Sequence, residues 1–140
     1  MLQKTLEIQV KTKDQRLINI TGEVEKFLAS SEVGFGLINI CILHTSASLL
    51  IQENASKDVM ADLLDFYDKL APMKMGLYQH NFEGLDDMPA HIKASLTNTN
   101  LTLSIINKRL KLGIWQGIYL FEHRIGYHQR DIFCHLLGDK

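Results

Sequence analysis

The chain has 140 residues, 46% hydrophobic and 22% charged, which excludes a disordered polymer and leaves room for one domain with a real core, expected over residues 1–140. Fifteen basic against sixteen acidic residues leave a net charge of -1, without the basic excess of a polyanion binder, so no nucleic-acid partner is expected. No window approaches the roughly eighteen consecutive apolar residues of a membrane-spanning helix, and the opening MLQKTLEIQVKTKDQ alternates instead of showing a secretion leader. The expectation is a cytoplasmic protein with no membrane partner, in which Cys41 and Cys134, far apart in apolar runs, are buried free thiols.

Leu6, Ile8 and Val10 alternate with Glu7, Gln9 and Lys11, the period of two that marks a half-buried strand. A short strand from Leu17 to Ile20 is expected to pair with it across the KDQ turn. Thr21 is placed to cap a helix through about Ala29, in which Val24, Phe27 and Leu28 recur at three- and four-residue steps. GFGLINICILH is apolar on both alternating faces and reads as a central strand, with SLLIQEN as its hairpin partner. Asn54 would cap a long helix whose stripe is Val59, Leu63, Phe66, Tyr67 and Leu70 and which ends at Pro72. The segment GLYQHNFEGLDDMPAHIKASL starts as loop and turns helical near Pro89, because proline is tolerated in a first helical turn. A strand TLSII, the turn NKRLKLG, a strand IWQGIYLFEH and a last strand from about Gln129 to Leu136 follow. Six to eight strands, mostly joined by hairpin-length turns, and three helices predict an α+β fold, a single compact domain with a largely antiparallel sheet or sandwich.

Three of the six histidines stand where polar groups are useful. His44 closes the most apolar strand, just before Thr45 and Ser46, so its side chain could face a pocket from a rigid backbone. His80 lies in a loop and His91 in the first turns of the following helix, with Glu83, Asp86 and Asp87 between them. His91 and Ser95, four apart, share a helix face beside the core stripe of Ile92 and Leu96. Neutral imidazole is a common zinc ligand, and three of them leave a fourth position for water or substrate. There is no HExxH and no CxxC, so spacing alone leaves a metal site and hydrogen-bonded or surface histidines both open. On the strand IWQGIYLFEH, Gln116 and Glu122 fall on one face and Trp115, Tyr119, Phe121 and His123 on the other. Glu122 is either paired with Arg124 or Arg130 or used as a general base, orienter or ligand. His128 and His135 read as structural or exposed. Neither a phosphate-cradling glycine loop nor a nucleophile elbow is present.

The strings HTSASLLIQENAS, HNFEGLDDMPAHIKASL and RLKLGIWQGIYLFEHR resemble, in order and separation, the signature segments of the YjbQ-like family, known as secondary thiamine-phosphate synthases, and the likeness runs from about residue 3 to 138. That resemblance implies a small α+β domain, a homotrimer with its site near the subunit boundary, and a weak activity joining a pyrimidine diphosphate to a thiazole phosphate. It also implies a bound metal ion, zinc in the first place, with magnesium the alternative for a diphosphate substrate. Carried onto matching positions, it assigns the metal to His44, His80 and His91, and base or orienting work to Glu122. It assigns phosphate or substrate binding to Thr45, Lys93, Ser95, Gln116 and Arg130; Asn54 and Trp115 also match. Where the family usually has Gly-Thr-Trp-Gln, this chain has Gly113, Ile114, Trp115 and Gln116, which deletes any hydrogen bond the threonine hydroxyl made. The rival expectations are a metal-dependent hydrolase of a small anionic metabolite and a non-catalytic metal- or ligand-binding module.

Overall fold

In β1 (Leu2–Lys13) the period of two holds in the second half, where Ile8 and Thr12 are buried and Val10 partly so while Glu7, Gln9 and Lys11 stay in water. These come from a computed structural model that describes residues 1–140. β1 pairs along its whole length with β8 (Tyr127–Asp139), from Leu2 opposite Gly138 to Lys13 opposite Tyr127. β8 in turn pairs with β3 (Phe35–Ile42), which pairs with β5 (Asn100–Ile106), and a two-residue β6 (Arg109–Leu110) closes the far edge. A second sheet has β7 (Gln116–Glu122) between β2 (Arg16–Asn19) and β4 (Ala47–Glu53). Every pairing is antiparallel, as the α+β reading requires.

The inward faces of the two sheets meet. Ile38, Ile40, Ile105, Ile132 and Leu136 of the large sheet join Leu49, Ile118 and Leu120 of the small one in a single core, to which α1 (Thr21–Ala29) adds Val24, Phe27 and Leu28. The outer face of β7 is buried too. There the Tyr67 ring of α2 (Lys57–Leu70) meets Phe121 edge-on at 5.4 Å, and α3 (Asp87–Leu96) lies against β4. No helix is long and apolar enough to cross a membrane.

Alternation marked the buried face of β1, but GFGLINICILH, read as apolar on both faces, buries Ile38, Ile40 and Ile42 and leaves Phe35 and Leu37 about half exposed, and the strand partners were not identified. β2 pairs with β7, not with β1, because Asp14 turns left-handed (φ 65°) and its backbone N–H bonds Gly126 O, sending the chain into the other sheet. β4 likewise pairs with β7 and not with β3, after Leu43 to Ser46 cross between sheets. Only β5 and β6 form a consecutive hairpin, through Asn107 and Lys108, both at positive φ. The last strand is longer at both ends than its pattern suggested, since β1 runs beside all of it. Neither proposed cap acts as one. Thr21 Oγ1 accepts the Ile118 N–H at 2.8 Å, and Asn54 donates to Gln116 O while Ser56 precedes α2. The stripe on α2 has no fully buried member; Phe66 and Leu70 remain more than half exposed.

Candidate metal centre

A buried carboxylate must be paired or it will be protonated, and the start of α3 contains two of them. Asp86 and Asp87 are 5% and 4% exposed. Asp86 accepts hydrogen bonds from the Arg124 guanidinium and from the Ile125 N–H at 3.0 Å. Burial alone would raise its pKa, but these partners hold it below the ordinary aspartate range. Asp87 directs Oδ1 to Arg124 Nη1 at 3.4 Å and Oδ2 to His80 Nε2 at 2.6 Å and His91 Nε2 at 3.2 Å. It also stays below the usual range, since contacts with His80 and Glu83 and the nearby His91 and Arg124 outweigh its burial.

Helix geometry makes this grouping. Asp87 and His91 are four residues apart on one face of α3, and the loop before the helix folds back so that Glu83 Oε2 lies 3.1 Å from His80 Nε2. Ligand atoms of His80, Glu83, Asp87 and His91 all lie within 4.8 Å of one another. The hydrogen bond that His80 donates to Asp87, ahead of the Glu83 contact, raises the His80 pKa.

His91 carries the decisive detail. Its Nδ1 lies 2.9 Å from the Thr45 carbonyl oxygen, which can only accept, so the ring proton sits on Nδ1. In the neutral ring Nε2 is then a bare lone pair aimed at a carboxylate oxygen. Such an arrangement needs a cation between the two atoms, either a proton or a metal ion. A backbone carbonyl that fixes a histidine tautomer is also the usual outer support of a metal ligand. Tetrahedral zinc ligands at about 2.0–2.1 Å lie about 3.3–3.4 Å apart. The 3.2 Å between Asp87 Oδ2 and His91 Nε2 is close to this spacing, and the 2.6 Å contact between Asp87 and His80 would have to open. The two imidazoles with the Asp87 carboxylate form a donor set that fits zinc and leaves a fourth position beside Glu83, whereas magnesium prefers oxygen ligands alone.

A sequence model for the "UPF0047 protein YjbQ-like" family matches residues 5–139. The chain belongs to this YjbQ-like family. It is 45% identical over 130 residues to UPF0047 protein sll1880 of Synechocystis, covering 93% of this chain and 88% of that protein. With YjbQ of Escherichia coli O157:H7 the identity is 41%, covering 98% of both chains. The solved structure of a YjbQ/UPF0047-family protein from Clostridium acetobutylicum superposes with a TM-score of 0.87 at 40% identity, over 94% of this chain and 99% of that one.

Within this YjbQ-like chain the residues singled out from the sequence do not fall in one place. His80 and His91 share the cluster. His44 is not in it: its Nε2 accepts the Asp131 N–H at 2.8 Å, its Nδ1 lies 3.5 Å from Arg130, and burial followed by Arg130 lowers its pKa. The strand end still serves the cluster, through the carbonyl of Thr45 and not a side chain. Ser95 is exposed on α3, with its hydroxyl bonded to Ile92 O. Lys93 is buried and paired with Asp68 at 2.5 Å. Arg130 and Glu122 form a buried two-pronged ion pair at 2.8 and 2.6 Å; Thr12 and the Arg124 N–H take the remaining acceptor positions of Glu122. Gln116 does share a strand with Glu122, but six residues separate them, about 20 Å at strand rise. Its side chain bonds the Gly113 N–H at 2.7 Å. Ile114, in the place of the family threonine, is 83% exposed, so the lost hydroxyl leaves no buried gap.

Two groups were missed. Glu83 and Asp87 appeared only as acidic residues between histidines, although Asp87 and His91 at four-residue spacing on a helix were a legible signal. The second is a buried relay under α3, in which Thr97 Oγ1 meets Ser48 Oγ at 2.5 Å and Ser48 Oγ meets His123 Nε2 at 2.8 Å. His123 Nδ1 has no partner; burial, then Lys93 and Arg130, pushes its pKa down to about 3, so the ring is neutral.

Arg124 holds the loop that delivers the acidic members of the cluster, gripping Asp86, Asp87 and the Glu83 carbonyl at once. Arg124→Lys keeps the charge and loses the fork. The expected result is zinc affinity weaker by about 10- to 100-fold with an unchanged circular dichroism spectrum. Unaltered affinity in a calorimetric titration would show that the loop does not depend on this grip.

Proposed function

We propose that the chain is a metal-dependent enzyme acting on a small phosphorylated substrate, with thiamine-phosphate-synthase-like activity. The observation that carries this reading is that potential ligand atoms of His80, Glu83, Asp87 and His91 lie within 4.8 Å of one another, with the His91 tautomer fixed by Thr45. His80, Asp87 and His91 would hold a zinc ion. Glu83, whose side chain is 55% exposed, stands on the open side, where it can take a proton. A bound ion there supplies charge neutralisation for a departing diphosphate.

Glu122 and Arg130 are assigned to each other as a structural pair, and Lys93 to Asp68. A homotrimer, which the family resemblance implies, is part of the proposal, and exposed Leu43, Phe66, Ile114, Trp115 and Tyr127 are apolar side chains that such an assembly would cover. So is a cytoplasmic setting. The exposed Glu83 beside the ligands also favours a second reading, a hydrolase in which the same carboxylate deprotonates water.

The test is to measure the metal content of untreated protein and to incubate it with the pyrimidine diphosphate and the thiazole phosphate, together and separately. Coupled product that needs both substrates and is abolished by chelator supports the synthase. Phosphate release from either substrate alone supports the hydrolase. Protein that neither retains nor takes up a divalent ion overturns both.

A further inference from the structure

The loop between α2 and α3 encloses a cleft of about 350 Å³ that has His80 in its wall, together with Lys74, Met75, Tyr78, Asn81 and Leu85. The sequence points to Lys93 and Arg130 for phosphate, but both are buried and committed to carboxylates within the protein. Lys74, by contrast, makes no ion pair with any carboxylate. It is a cation in the wall of the cleft without an internal partner.

We infer that this cleft binds the phosphate group of a small single-ring ester, with Lys74 meeting the charge from one side and the metal ion at His80 from the other. The inference rests on the metal reading above and goes further, because it names the substrate's place and class. Three features support it. The volume is near the lower end of small-molecule sites, roughly 300–1,000 Å³, which suits one ring and its ester group but not a polymer. The walls are divided: Met75, Leu85 and the Tyr78 ring, whose hydroxyl already donates to Pro72 O, are apolar, while Lys74 and the Asn81 amide are polar. Lysine is a frequent point-charge partner of phosphate.

Charge sets a condition. Glu83, Asp86 and Asp87 carry three negative charges against Arg124 and the proton that the metal-free cluster holds, so without the ion the neighbourhood has no positive excess even with Lys74. With a divalent ion that deficit is cancelled and Lys74 leaves a positive excess. Anion binding here should therefore require the metal.

The experiment is calorimetric titration of phenyl phosphate into zinc-loaded and zinc-free protein, with Lys74→Gln and Lys74→Arg alongside and zinc content measured for each. The expected result is binding only to the zinc-loaded form, weakened about 10- to 100-fold in K74Q, which keeps its zinc, and largely restored in K74R. If K74Q keeps its zinc and binds phenyl phosphate like the wild type, this inference is overturned while the metal centre stands. A wild type that takes up no zinc overturns the metal reading and this inference with it.

Discussion

Glu122→Gln should lower the unfolding free energy by about 3–5 kcal/mol, a large part of the roughly 5–15 kcal/mol that holds a domain together. Glu122 is fully buried and Arg130 is 4% exposed, so removing the carboxylate charge strands a guanidinium in the core. The cost arises from that uncompensated charge and not from the pair's own strength. The double variant Glu122→Leu, Arg130→Met should therefore lose less than Glu122→Leu alone, as measured by urea denaturation. Acid gives an independent check. Burial by itself would raise the Glu122 pKa, but the Arg130 and Thr12 hydrogen bonds hold it below its ordinary 4.5. A depressed folded-state pKa contributes stability above 4.5 that is lost as pH falls through the folded value, so the wild type should weaken below 4.5 and the double variant should lack this component. If the single variant is as stable as the wild type, the ion pair does not have this role.

Asp87→Asn should remove metal binding, with affinity falling on the order of 100-fold or more, beyond the effect of losing an outer supporting group. One oxygen of Asp87 lies between His80 and His91, and the other faces Arg124. The amide keeps the shape but cannot serve all three partners. A second readout separates this from misfolding: with the Asp87 bond gone, the His80 ring should titrate closer to an ordinary histidine in a proton NMR titration of the metal-free protein. His44→Ala should keep the metal, because the His44 Nε2 lone pair is taken by the Asp131 N–H. Retention of zinc by D87N together with its loss from H44A would reverse the assignment of ligands.

The burial pattern was legible in the sequence because alternation is a local property. Ile38, Ile40 and Ile42 fall inside, as does the Leu49 face of β4. Partnership was not legible, because Leu17 to Ile20 can bury the same face in a local hairpin or beside β7, and the choice depends on a left-handed turn at Asp14 and on what lies opposite. The candidate site shows the same division. His80 and His91 stood out by type and position; Asp87, four residues before His91 on the helix, was a legible signal that was missed, and Glu83 in the loop before it carried none. That Thr45 would contribute its carbonyl while His44 turned to Asp131 could not be read, since both follow from how β8 lies beside β3. For Glu122 the sequence left open a pairing with Arg124 or Arg130 and a role in the site, and the pairing with Arg130, on a strand of the other sheet, is what the fold provides.

The order β1-β8-β3 has a consequence for biosynthesis. Residues 127–139 form the strip that joins the two halves of the large sheet, so β1 and β3 have no shared neighbour while the nascent chain is still short of them. Ribosome-bound intermediates would expose Ile38, Ile40 and Ile8 along open strand edges until that segment emerges. The sheet can then close in one late step, slow on the scale of local hairpins because the paired residues Leu2 and Gly138 lie at opposite ends of the chain. Shielding by chaperones during that interval, more than the stability of the finished fold, would then govern the yield of the protein in a cell.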